Sequence, residues 1–464
     1  MKSPTCLIKA LLIVFLLAGF TRAEAQLLNA VQNYGMNRPG VVMVKTVFSA
    51  DVYVNRIQLD SRHFNLLIDS IQKADSNGIV YTAEQKLDIV LREINNHPNR
   101  FFKSSLDYIK EPQEITSSGT GFIVTGDGYV ATNCHLIDRD NAFIRRQFFL
   151  SAFQQITEAN ISALESAWAT RFSEQQKSIL YNTYASVYAR LFSISLFDLR
   201  KEVFIEYSVD TGHGTTSSVK KPAHVIIKGA PMPGKDIALL KMDGDSALPT
   251  LKIASDELPK VGEQLFVYGY PGPVTNNNFI SSKSAIEPTL TTGIVSAVKK
   301  SVNGWPLIQM DANINRGSSG GPVCDEKGEV VGLTTFGSLE NSGGLAAGLN
   351  FAIPVSILQE FLDSVSVIAQ TSESSLRFGE AVVYYDREYF SDALDKFAEV
   401  KKLNPHFPGL SFYTADTEKK LMLKEERKSS MIRDDLIVFA VFLLGSILLF
   451  RYFRSRGTGS RRTR

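Results

Sequence analysis

The chain has 464 residues, 44% hydrophobic and 21% charged, ordinary globular values that exclude a mainly disordered, collagenous or disulfide-dense protein. Lysine plus arginine (50) nearly balance aspartate plus glutamate (48), so no overall basic field argues for nucleic acid as a partner.

Residues 1–25 read as a secretory signal. Lys2 and Lys9 give a basic start, Leu11–Phe20 an apolar stretch, and Ala23-Glu24-Ala25 a small-x-small cleavage site. The apolar run is short for a membrane span, which favours cleavage over an uncleaved anchor. From about 38 to 54 the pattern is that of a strand, with a turn at Arg38-Pro39-Gly40 and then Val41-Val42-Met43-Val44. Residues 55–115 change character. Asp75-Ser76-Asn77-Gly78 marks a turn, and Thr82-Ala83-Glu84-Gln85 fits a capping box ahead of Leu87, Val90, Leu91 and Ile94 at helical spacing. The stretch reads as a helical insertion.

Residues 117–137 return to short strands with glycine turns. About 141–200 then reads as two or three helices, with Ile161, Leu164, Trp168 and Phe172, and Leu180, Tyr184, Val187 and Leu191, at helical spacing. Such aromatic stripes are most often core contacts. Residues 202–355 are strand after strand between Gly and Pro turns, the pattern of a barrel or sandwich. Helix returns from about 355.

In 372–430, Ala381, Tyr384, Ala393, Phe397 and Pro405 fall at offsets resembling one tetratricopeptide repeat. One such unit cannot bury its own face, so it packs on the preceding domain or on another protein; a plain helical hairpin is the competing reading. Residues 434–453 (Leu436–Phe450, then Tyr452 and Phe453) suit a transmembrane helix. Arg451, Arg454, Arg456, Arg461, Arg462 and Arg464 follow with no acidic residue, a positive-inside flank. Residues 454–464 are therefore expected to be a basic cytoplasmic tail, with everything before the helix on the outer, periplasmic or extracellular, side of the cell membrane. Of three cysteines, Cys6 goes with the signal; Cys134 and Cys324 could form one disulfide or stay as two buried thiols. No Cys/His cluster has metal-ligand spacing, so neither metal nor cofactor is expected.

Three pieces carry chemistry. Among six histidines only His135 has a distinctive setting, ending Ala131-Thr132-Asn133-Cys134-His135 after the turn Gly126-Asp127-Gly128. Asp236 opens the apolar run Ile237-Ala238-Leu239-Leu240. Asn315-Arg316-Gly317-Ser318-Ser319-Gly320-Gly321-Pro322 crowds glycines around a serine, as a tight turn approaching a substrate requires. Each alone has a bland reading. Together their order is His, Asp, Ser: a serine needs a base, and the base needs a carboxylate to fix its tautomer.

Residues 117–137 and 202–358 resemble the trypsin-like serine proteases of the HtrA (DegP-like) family. Ser118-Gly119-Thr120-Gly121-Phe122-Ile123-Val124 through His135 is similar to the family's histidine block, and Asp236–Lys241 to its aspartate block. Gly269-Tyr270-Pro271, Thr291–Ser296, Asp311–Pro322, Val330–Leu333 and Phe351–Pro354 complete the match. The resemblance implies a mainly β, chymotrypsin-like double β-barrel of six strands each with the active site between them, here carrying helical insertions within a protease domain over 26–365. It implies His135 as general base, Asp236 as orienting carboxylate, Ser319 as nucleophile, and the backbone N–H groups of Gly317 and Ser319 as the oxyanion hole. Cys134 stands where the family has Ala, Ser318 where it has Asn, and Arg316 where it has Pro. No PDZ pattern follows Pro354.

In trypsin-like folds the S1 pocket is walled by the chain before the nucleophile and by a later strand. Here those are Asn313 and Ile314, then Thr334 and Phe336. With Asn rather than Asp six residues before the serine, no carboxylate offsets desolvation of a cation, and the resemblance implies small or medium aliphatic P1 residues. Two readings result. One is an exported, membrane-anchored serine endopeptidase acting on unfolded polypeptides in envelope quality control; the other is a catalytically silent, protease-like membrane scaffold. A homo-oligomer stays open.

Overall fold

The computed structural model describes residues 27–191, 195–243, 247–255, 257–272, 286–339, 345–423, 425–427, 443–447 and 451. The expected signal, 1–25, the cytoplasmic tail, 454–464, and most of the expected span, 434–453, lie outside them. Among the described residues no helix is long and apolar enough to cross a membrane.

The chain divides into two compact units. The first gathers the residues up to Val44, Ser118–Leu136 and the chain from Phe204 onward. Strand pairing closes two six-stranded barrels. The first barrel runs in the order β1 (Val41–Leu59), β2 (Phe102–Ile123), β3 (Tyr129–Thr132), β6 (Ala238–Met242), β5 (Thr215–Lys228), β4 (Ser195–Gly212). The second runs β10 (Pro322–Cys324), β11 (Val330–Leu339), β12 (Leu345–Pro354), β9 (Pro306–Met310), β8 (Thr289–Lys300), β7 (Gln264–Gly269). The implied double barrel is therefore present. One cluster joins the barrels, with Phe122, Val124 and Leu239 from the first, Phe266, Tyr268, Leu333 and Ile353 from the second, and Leu358 and Leu362 from the helix Val355–Ser364. Burial of these side chains holds the two barrels together.

Strand β1 runs longer than the expected 38–54, alternating buried and half-buried along Val44–Val54. It follows a helix, Ala30–Asn37, capped by Asn29 and Gln32, which was not expected. Strand β2 starts at Phe102, so the helical reading of 55–115 is too long at its C-terminal end. Leu106 and Tyr108 are exposed on that strand and leave no clean alternation to read. In 141–200 there are two helices, Asn141–Ala167 and Glu174–Leu191, and strand from Ser195.

The two insertions form one body. The second unit is Lys45–Ser117 together with Ile137–Val203. The helix Ala83–Asn96 starts at the expected capping box, Thr82 with Gln85, and buries Val90, Leu91 and Ile94. These side chains join Phe148, Ile156, Leu180, Tyr184 and Val187 from the later helices in a single core. Gln176 Nε2 donates to Asp88 Oδ1 (2.9 Å) and Thr183 Oγ1 to Asn95 Oδ1 (3.0 Å), which fixes the helices' register. The aromatic stripes are core, as their spacing suggests.

After Val355–Ser364 come the helices Glu373–Asp386, Phe390–Leu403 and Leu410–Met422. A helix–turn–helix pair plus one is less than a repeat array, and it closes its core with the helix Ala30–Asn37: Gly35 meets Tyr413 and Val382, and Met36 packs on Gly379. The segment is also tied to the barrels. Ser411 N and Oγ donate to the buried Asp210 (2.8 and 2.7 Å), Thr250 N donates to Ser375 Oγ (2.8 Å), and Gln370 N donates to Val124 O (3.1 Å). Cys134 and Cys324 are both buried and form no disulfide, and the Cys134 thiol donates to Gly229 O (3.2 Å). Burial, with Asp325 nearby, pushes the Cys324 thiol well above its ordinary pKa.

Candidate active site

Strand pairing brings the histidine and the aspartate together. Thr132 of β3 faces Ala238 of β6 in an antiparallel ladder. Residues just after 132 therefore lie beside those just before 238, and His135 meets Asp236. His135 Nδ1 is 2.6 Å from Asp236 Oδ2, and the His135 backbone N–H donates to Asp236 Oδ1 at 2.8 Å. Asp236 is 1% exposed, against 26% for the histidine side chain. A buried carboxylate on Nδ1 leaves Nε2 as the nitrogen free to exchange a proton.

The second barrel supplies the serine by the same logic. Pro322 of β10 pairs with Leu333 of β11, so Ser319 lies beside Thr335. The Ser319 hydroxyl donates to Thr335 O (3.1 Å), and the Thr335 hydroxyl donates to Asp236 Oδ2 (2.9 Å). Thr335 thus links Ser319 and Asp236. The structure brings His135, Asp236 and Ser319 together through it. Thr335 was missed in the sequence, as was Asn133, whose amide donates to Asp236 O (2.8 Å). A threonine inside a strand carries no signal of its own; only register reveals it.

The nucleophile turn needs its glycines. Gly317 has φ +99°, and a Cβ there would sit 2.3 Å from Tyr270 O. Gly320 has φ +82°, and its Cβ would meet Thr120 O at 2.2 Å. No L side chain fits either place. Arg316, standing where the related family has Pro, is exposed, and its carbonyl accepts from Gly272 N (2.7 Å).

The expected pocket walls separate. Asn313 is exposed, and its carbonyl accepts from Thr291 Oγ1 (2.9 Å). Ile314 is 8% exposed and packs in the second barrel's core with Leu265, Val295, Ile308 and Ala352. Thr334 is fully buried; its hydroxyl bonds Ser318 O and reaches Gly321 N at 3.2 Å. That side chain fastens the nucleophile turn instead of walling a pocket, because strand alternation turns it away from its neighbour Thr335. Phe336 lies in β11 opposite Phe351. Among the described residues no group of acidic, histidine and cysteine side chains could hold a metal ion.

Residues 119–333, a little under half of the chain, match the trypsin-like peptidase domain family. A probable periplasmic serine endoprotease, DegP-like, from Pseudomonas putida is 40% identical over 128 residues, 27% of this chain and 24% of that protein. One described in the same words from Hahella chejuensis is 27% identical over 258 residues, 55% of this chain and 36% of the relative. The chain thus matches about a quarter to a third of the length of these curated relatives. The serine endoprotease crystal structure from Yersinia pestis aligns with a TM-score of 0.33 and 17% identity, covering 73% of this chain and 68% of that one. Paired barrels, a His–Asp contact set by strand register and the match over residues 119–333 make this part of the chain similar to trypsin-like peptidase domains.

Proposed function

We propose that the protein is an exported, membrane-anchored serine endopeptidase that cleaves unfolded polypeptides in envelope quality control. The observation that carries the reading is the chain of contacts His135–Asp236–Thr335–Ser319. In the reaction, Ser319 Oγ attacks the scissile carbonyl and His135 Nε2 takes its proton, while Asp236 steadies the imidazolium. The N–H groups of Gly317 and Ser319 receive the oxyanion. His135 returns the proton to the leaving amine, and water hydrolyses the acyl-enzyme by the same steps. Anchoring rests on the sequence of 434–464, and the periplasmic setting on the relatives' descriptions.

One observation favours the silent-scaffold reading: the Ser319 hydroxyl bonds Thr335 O, not His135. Peptidase chemistry requires it to rotate to His135 Nε2. A fluorophosphonate probe decides between them. Labelling that vanishes in Ser319→Ala is expected; absence of labelling in well-folded wild-type protein would support the scaffold or a latent, zymogen-like state.

Digestion of an unfolded protein with mapped cut sites tests specificity. Cuts after Val, Ala or Ile are expected, and a map dominated by Lys or Arg would refute the pocket argument while leaving the triad standing. For topology, protease added outside the membrane should reach residues 26–430 and spare the arginine tail. Degradation of the tail from that side would reverse the orientation.

A further inference from the structure

A groove of about 400 Å³ runs along the helix Glu373–Asp386, and none of the candidate catalytic residues lines it. Its other walls are the end of the helix Ala30–Asn37, the stretch around Thr250 and Lys252, and the turn that joins β10 to β11. A Cβ at Gly379 would lie 2.9 Å from Met36 Cε, so glycine there lets Met36 reach the groove. Met36, Leu376 and Val383 make an apolar side, and Leu376 is 51% exposed. The charged lining is uneven. Lys252 pairs with Glu329 (2.5 Å), and Glu380 pairs with Lys396 (3.1 Å) and Arg377 (3.3 Å). Lys327 and Arg387 are exposed, and their side chains form no ion pair among the described residues. Two uncompensated cations beside an apolar wall attract an anion. Inorganic phosphate would gain nothing from the wall, whereas a carboxylate on an aliphatic body uses both features. Arg387 offers the planar fork that suits a carboxylate.

We propose that this groove binds the C-terminal end of a polypeptide whose last residue is aliphatic. Hydrolysis after Val, Ala or Ile leaves that kind of end, an aliphatic side chain and a carboxylate on one carbon. The source of the ligand rests on the peptidase reading above; the binding chemistry does not. A cut chain held there stays at high local concentration and is cut again before it diffuses away.

The test is titration of full-length Ser319→Ala protein with a short fluorescein-labelled peptide of alanine and serine ending in valine. A lost hydrogen bond to a charged group is worth about 10- to 100-fold, and exposure lowers that. Lys327→Gln and Arg387→Gln should therefore each weaken binding about 3- to 10-fold, and the double variant about 10- to 100-fold. The same peptide as its C-terminal amide should bind the unsubstituted groove about as weakly as the acid binds the double variant. Leu376→Asn, or a peptide ending in asparagine, should cost about 3-fold or more. Equal affinity for acid and amide, or unchanged binding in the double variant, overturns the proposal. Displacement of the peptide by an equal concentration of inorganic phosphate also overturns it, because that marks a plain anion site.

Binding in Ser319→Ala protein needs no activity, so the two readings fail separately. Binding without fluorophosphonate labelling of the wild type would count against the peptidase and leave the chain-end site. Labelling without binding would refute the site alone. With Ser319 restored, Lys327→Gln/Arg387→Gln should cut a short amidated peptide at an unchanged rate and release larger fragments from an unfolded protein. Identical fragment patterns would refute retention of the cut chain.

Discussion

Ser319→Ala and His135→Ala are each expected to lower kcat about 10⁶-fold, Asp236→Asn about 10⁴-fold, and the Ser319→Ala/His135→Ala double variant no further than either alone. The ranking follows from the contacts. Nucleophile and base act in one proton transfer, so losing either ends it, and the second loss has nothing left to remove. Asp236→Asn keeps the volume at a site that is 1% exposed, but its amide favours the wrong imidazole tautomer. Stability should hardly change for Ser319→Ala. The hydroxyl makes one hydrogen bond, to Thr335 O, and a typical one contributes about 1 kcal/mol. The measurement is initial-rate hydrolysis of a peptide substrate, with folding checked by circular dichroism. Near-normal turnover by contamination-free Ser319→Ala protein would sink the mechanism.

The candidate catalytic side chains stood out in the sequence because the turn chemistry around them is unusual. Gly317 and Gly320 occupy positive-φ positions where nothing else fits, and that demand shows in the sequence as glycine crowding. Thr335 and Asn133 were not legible as partners. Their roles depend on which strand lies opposite, and register is a tertiary property that strand alternation alone does not reveal. Thr334 shows the same limit from the other side. Chain position placed it on the pocket wall, but the one-residue alternation of a strand sends its hydroxyl into the nucleophile turn and leaves Thr335 for Asp236.

Helical periodicity revealed both insertions but not their union. Each was read as a local feature, and no local feature says that Val90 and Leu91 pack with Phe148 and Val187. Their common body includes parts of the long strands β1, β2 and β4, and the first half of β2 carries too many exposed residues to display a period of two. The N-terminal helix was missed for a related reason. Its buried residues are Gln32, Asn33, Gly35 and Asn37, so polar side chains are buried where an apolar stripe would be sought. They are satisfied at long range: Asn33 accepts from Tyr268 Oη (2.7 Å), and Asn37 donates to Gly328 O (3.1 Å).

That helix bears on the second large effect, expected for Phe378→Ala. Phe378 is fully buried at the centre of the C-terminal helices, with ring centroids 4.5 Å from Phe407, 5.8 Å from Phe397 and 5.7 Å from Tyr413. Truncating such a phenylalanine costs about 3–5 kcal/mol. Where the loss appears tells what the segment is. Tyr413 and Gly379 support Gly35 and Met36, and the same short helix holds Tyr268 of the second barrel through Asn33. Asp210, Thr250 and Val124 add further ties to the barrels. If those contacts make the helices part of the peptidase fold, denaturant unfolding should show one transition, shifted as a whole, and Phe378→Ala should also shorten the lifetime of the folded active site. Deleting 372–430 should then yield insoluble protein, because the buried Asp210 would lose Ser411 and the buried Gln32 would lose Asp386. A separable docking module behaves otherwise. Its melting would form an early transition that alone moves in Phe378→Ala, and the barrels would unfold at the wild-type midpoint. That second pattern would show the tetratricopeptide-like helices to be an appendage available to another protein, and would refute their role as a support of the barrels.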